Sequence, residues 1–100
     1  MNAPTELQER LKTFGGSIDG IPDTKEHIVT LSKSLSLEAH ALLLERLRSS
    51  REFYKRILSE ERRKKNPSSY RYENAEAHLK KYNSQGKLLN ELLEARKNSN

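Results

Sequence analysis

Arg62-Arg63-Lys64-Lys65 is the densest group of reactive side chains in this sequence, and Arg71 joins it across a short turn. Four successive cations cannot share one face of a helix with about 3.6 residues per turn, so they ring its end. Two kinds of chemistry suit that position. Positive side chains complement the negative C-terminal end of the helix macrodipole, each contributing about 0.3 to 1 kcal/mol. Alternatively, the cluster forms a basic tip that meets phosphate or a carboxylate-rich groove, with Tyr70 and Tyr72 available for stacking. A further stripe, Arg48, Arg51, Lys55 and Arg62, recurs at helical spacing, either as a solvated face or as a line of partner contacts. Lys80, Lys81 and Lys87 give a sparser counterpart downstream.

The other titratable groups suggest little catalysis. His27, His40 and His78 are the only imidazoles, and no paired His spacing or Cys accompanies them, so the pattern gives no metal site and places them at the surface or its boundary. His40 and His78 meet only if the helix register brings them together. Glu60-Glu61 and Glu73 with Glu76 lie among basic residues at spacings that suit ion pairs on a helix surface. Gly15-Gly16 lacks the strand and lysine of a phosphate loop. The basic segments match no zinc finger, RNA-recognition fold or helix-turn-helix, so sequence-specific DNA reading is not supported. The expectation is a protein without catalytic residues, cofactor or small-molecule substrate.

The elements that must carry these groups are helices. Tyr72, Ala75, Leu79, Tyr82, Gly86, Leu89 and Leu93 alternate steps of three and four, the rhythm that keeps one seam facing a neighbour. Upstream, Leu43, Leu47, Ser50, Tyr54 and Ile57, widened by Leu44 and Leu58, form a matching stripe. Only Asn66-Pro67-Ser68-Ser69 separates the two, so residues 36–100 read as a long antiparallel helical hairpin with the cationic cluster at its bend. The third helix is expected from about Ser36 to Lys65. The fourth runs from about Ser69 to Arg96, mildly interrupted at Asn83, Ser84 and Gly86, and frays in residues 97–100.

Residues 1–35 read as two short helices and a loop. Leu7, Leu11 and Phe14 share a face of a helix from Pro4 or Thr5 to Phe14, which Gly15-Gly16 ends. Ile18 and Ile21 are apolar plugs in the following loop. Asp23 and Glu26 have the spacing of a capping box for the second helix, whose face is Ile28, Val29 and Leu31. The fold class is therefore all-α and a single small domain.

Composition limits the core. Among 100 residues, 33% are charged and only 22 are Leu, Ile, Val or Phe, which leaves room for a partner surface to supply several kcal/mol of stability. Residues 1–50 carry six basic and seven acidic side chains and residues 51–100 carry thirteen and seven, which puts the net charge of +5 on the hairpin. A positive arm favours acidic partners. Without Cys no disulfide framework exists. No apolar run approaches the roughly 20 residues of a membrane span, and the polar N-terminus with Glu6 and Glu9 does not read as a secretory signal. The expectation is a soluble protein of the cytoplasm with no membrane contact.

Asn66-Pro67 introduces one more element. An X-Pro bond in an exposed turn exchanges over tens of seconds, which makes Pro67 either a plain trans turn or an isomerisation switch that could recruit a prolyl isomerase.

With its opening Met1-Asn2-Ala3-Pro4-Thr5-Glu6-Leu7 and its turn Lys65-Asn66-Pro67-Ser68-Ser69-Tyr70, the chain resembles over its whole length the anti-RecBCD proteins of temperate bacteriophages. The resemblance implies a phage protein in the bacterial host cytoplasm. Such a protein binds the multi-subunit RecBCD helicase-nuclease, through RecC, and modifies its action on DNA ends so that phage DNA survives and recombines. It implies no catalytic residue, because that family acts by binding. The residues themselves offer Arg51, Lys55, Arg62, Arg63, Lys64, Lys65, Tyr70 and Arg71 as partner contacts. They leave open whether these meet protein or, without sequence preference, nucleic acid directly, and whether the heptad seam instead builds an oligomer.

Overall fold

A computed structural model describes residues 2–15, 20–66 and 68–99. Ile18 of the plug and Pro67 of the turn, with the isomerisation reading that rests on it, lie outside the described residues. Among the described residues four helices form an all-α fold: α1 (Ala3–Phe14), α2 (Lys25–Ser34), α3 (Leu37–Arg63) and α4 (Ser69–Asn98).

Each helix starts where a side chain can accept an orphan amide. Asn2, Thr24, Ser36 and Ser68 accept from the backbone N–H of Thr5, His27, Ala39 and Arg71. The capping box expected at Asp23 is not used. Thr24 caps α2, and the Asp23 carboxylate instead accepts from Lys81 of α4 at 2.6 Å. Helix α1 stops at Gly15, whose φ of 56° lies in the left-handed region that a side chain disfavours, while its N–H donates to the Leu11 carbonyl. Helix α4 runs unbroken through Asn83, Ser84 and Gly86 and on past Arg96, so neither the interruption nor fraying at residues 97 and 98 is seen.

Helices α3 and α4 pack side by side, α1 lies on α3, α2 on α4, and α1 touches α2. The shared core is Leu7, Ile21, Ile28, Leu31, Leu35, Ala39, Leu43, Leu47, Tyr82 and Leu89. Burial of each such Leu or Ile contributes about 1.5 to 3 kcal/mol. Ile21 plugs this core as its loop position suggests. The N-terminal helices therefore cover only the base of the hairpin. Beyond it the seam continues through Tyr54, Ile57, Leu58, Tyr72 and Leu79, half-buried, with Ala75 buried between the two helices. The result is elongated, 52 × 26 × 25 Å.

Polar side chains lock the base. Arg96 Nη1 donates to the carbonyls of Ser32 at 3.0 Å and Leu35 at 2.7 Å, satisfying the open end of α2. Gln85 donates to the Pro22 carbonyl at 3.2 Å. Glu6 of α1 accepts from both the backbone N–H and the hydroxyl of Ser36, at 2.7 and 2.8 Å, so α1 completes the N-terminus of α3. These bonds, first of all the Ser36 amide, hold the Glu6 carboxyl below the usual carboxylate range.

His40 is fully buried, contrary to its expected place at the surface. Its Nε2 lies 3.0 Å from the Leu89 carbonyl and its Nδ1 3.4 Å from the Ser32 hydroxyl. A carbonyl can only accept, so Nε2 carries the proton and Nδ1 is left to accept from Ser32. Burial, more than the nearby Arg96, pushes the imidazole below its ordinary pKa, against the opposing effect of the Leu89 bond. His78 lies elsewhere, stacked on Tyr54 with centroids 4.6 Å apart and bonded through Nδ1 to the Asn74 carbonyl.

Candidate interaction surface of the hairpin

The bend is organised around a carboxylate. Glu61, expected at the surface in an ion pair, is fully buried. It accepts from the Ser68 backbone N–H at 3.0 Å, from Lys64 at 2.5 Å and from Arg71 Nη1 at 3.3 Å. These donors come from both sides of the turn, so one side chain ties the end of α3 to the start of α4. The Lys64 bond, followed by the Ser68 amide and the charges of Lys64 and Arg71, holds its carboxyl below the usual range against the cost of burial.

The cationic cluster thus divides. Lys64 and Arg71 turn inward to Glu61, and Arg71 also reaches Glu60 at 3.6 Å. Arg62 donates to the Tyr72 hydroxyl at 3.2 Å, which raises its pKa further, and its guanidinium carbon lies 5.8 Å from the Tyr72 ring centroid. Tyr72 is therefore part of the bend's packing. Arg63 and Lys65 are exposed and have no partner among the described residues, and Tyr70, in the first turn of α4 across the bend, is 80% exposed. These three side chains are exposed at the tip and brace nothing among the described residues.

Along the arm, Lys55 pairs with Glu52 at 3.4 Å on the exposed side. Arg51 diverges from Lys55 and Arg62 of its stripe. Together with Arg48 it lines a groove of about 460 Å³ between α3 and α4, opposite Asn83, Lys87 and Asn90. The eight side chains expected to form one contact surface therefore fall into a bracing set (Arg62, Lys64 and Arg71), a tip (Arg63, Lys65 and Tyr70), a groove residue (Arg51) and Lys55 in its exposed pair with Glu52.

Sequence reasoning missed Glu61 and His40 because their partners come from other helices or from across the turn. It also missed the groove, although Ala41, Leu44, Arg48 and Arg51 on α3 and Asn83, Gly86, Asn90 and Leu93 on α4 each repeat at steps of three and four. That second period runs beside the packing seam and was available to find it.

Among the described residues no group of His, Cys, Asp or Glu could hold a metal ion, and no helix is long and apolar enough to cross a membrane. Comparison with known proteins yields no matching family model, no matching curated protein and no matching solved structure.

Proposed function

We propose that this chain is a non-enzymatic binding protein that docks its helical hairpin on a larger DNA-processing machine and inhibits or redirects it. One observation carries the reading. Arg63, Lys65 and Tyr70 stand exposed, without a partner among the described residues, at the bend of an arm that the N-terminal helices leave bare. Exposed cations and an exposed ring on one bend suit an acidic or phosphate-bearing partner. The whole-chain resemblance supplies the machine: a host RecBCD helicase-nuclease engaged through RecC, with protection of phage DNA ends and phage recombination as the outcome.

The test is binding of the full chain to purified RecBCD, with nuclease and helicase activity followed in parallel. A stable complex with altered activity, weakened by Arg63→Glu with Lys65→Glu, is expected. Absence of a complex, or a complex indifferent to that double variant, refutes the proposal. A second reading, sequence-independent nucleic-acid binding, draws on the same three side chains. It predicts affinity for DNA alone that falls steeply with salt, in proportion to the phosphates neutralised, whereas a protein interface anchored by apolar contacts is less sensitive.

A further inference from the structure

We propose that the groove between α3 and α4 is a second docking site, which takes an acidic segment of a partner protein and receives its carboxylate on Arg51. This rests on the reading of the chain as a binding protein and adds the partner chemistry of a surface away from the tip.

The groove is graded along its length. Because the helices run antiparallel, Leu44 of α3 faces Leu93 of α4 at one end, and Arg48 and Arg51 face Asn83 and Lys87 at the other. None of its lining residues belongs to α1 or α2. Three cations stand against a single acid, Glu45, and Arg48 and Lys87 have no partner among the described residues. The occupant must therefore be anionic at one end and apolar at the other.

Arg51 identifies the anion. Its guanidinium lies over the bare backbone of Gly86, with Nη1 4.0 Å from where a Cβ would stand, and its Nε is shielded from water without a hydrogen-bond acceptor among the described residues. A shielded donor without an acceptor is unfavourable, so this pose leaves Arg51 ready to swing toward an incoming oxygen pair. A planar guanidinium matches a carboxylate with two parallel N–H···O bonds. The amides of Asn83 and Asn90 suit a peptide backbone. A nucleic-acid strand fits poorly, since its successive phosphates would be carried past Glu45 and onto Leu44 and Leu93.

The experiment uses the 15N-labelled full chain and two probes: a capped peptide with one glutamate flanked by leucines, and a short oligothymidylate. The peptide is expected to shift the Arg51 Nε–H and the Asn83 and Asn90 side-chain amide signals saturably. Arg51→Met should weaken it about tenfold or more, the size of losing a charge-assisted pair. Lys87→Met, at an exposed helix position, supplies a second variant that keeps the fold and should also weaken binding. Shifts with oligothymidylate but not peptide, shifts with neither, or peptide binding that survives Arg51→Met would each overturn the site. Those results leave the tip untouched, because its reading depends on Arg63 and Lys65 and on the RecBCD complex.

Discussion

The Nε2 atom of His40, on α3, is 3.0 Å from the carbonyl oxygen of Leu89, on α4, in the centre of the base. A neutral ring is required there, because Nδ1 accepts from Ser32 on α2 and burial opposes a second proton. The folded pKa is below the unfolded one. This contribution to stability is therefore full above the ordinary imidazole range near 6.5 and is lost as pH falls through the folded value. Denaturant titrations from about pH 8 to pH 5 should show stability declining on the acid side, and His40→Gln should flatten that decline. A wild-type profile that is level across the window would contradict the arrangement.

Glu6 and Glu61 act at lower pH. Both carboxyls are held below their ordinary range, so their contributions persist above the unfolded value near 4.3 and disappear as pH falls through the folded values. Glu61→Gln should loosen the bend selectively, raising amide exchange at Ser68 and Arg71 while the base stays protected. Uniform loosening of the whole chain would show that the carboxylate is not the local tie described.

The base and the arm should differ in their response to truncation. Leu47→Ala and Leu89→Ala remove fully buried side chains and should cost about 2 to 5 kcal/mol each in chemical denaturation. Leu79→Ala, in the half-buried stretch, should cost clearly less. Equal losses would mean that the arm is packed as tightly as the base.

Gly86 lies within α4, and a methyl group added there would have Arg51 Nη1 as its nearest neighbour, at 4.0 Å. Gly86→Ala should therefore stabilise the chain by about 0.5 to 1 kcal/mol through helix propensity, read as a higher denaturation midpoint at unchanged slope. Destabilisation would reveal a closer approach of α3 than the Arg51 contact.

Arg63→Ala with Lys65→Ala should leave stability within about 0.5 kcal/mol of the parent while weakening partner binding, since neither side chain braces the fold. Arg71→Ala should lower both, because it removes a donor from Glu61. If the two variants behave alike, the division of the bend into bracing and free cations is wrong.

The hairpin was legible because its seams are written at steps of three and four and its turn is marked by Asn66 and Pro67, cues that act within a few residues. The same is true of the start of α3 near Ser36. Asp23 misled because it and Thr24 are both good caps; Thr24 takes the amide of His27, and the Asp23 carboxylate pairs with Lys81, 58 residues away. Glu61 resembled its neighbour Glu60 for a similar reason. What buries one and exposes the other is the return of the chain with Ser68 and Arg71, which no local period records. The basic cluster was plain in the sequence, but which of its members remain free depends on those same partners.

The bond between Glu6 and Ser36 also bears on how the chain is made. During synthesis the carboxylate that finishes α3 leaves the ribosome thirty residues ahead of the hydroxyl and amide it will hold. The side chain that completes the starting turn of the third helix is thus already made when that turn is synthesised, and it comes from the first helix and not from the fourth.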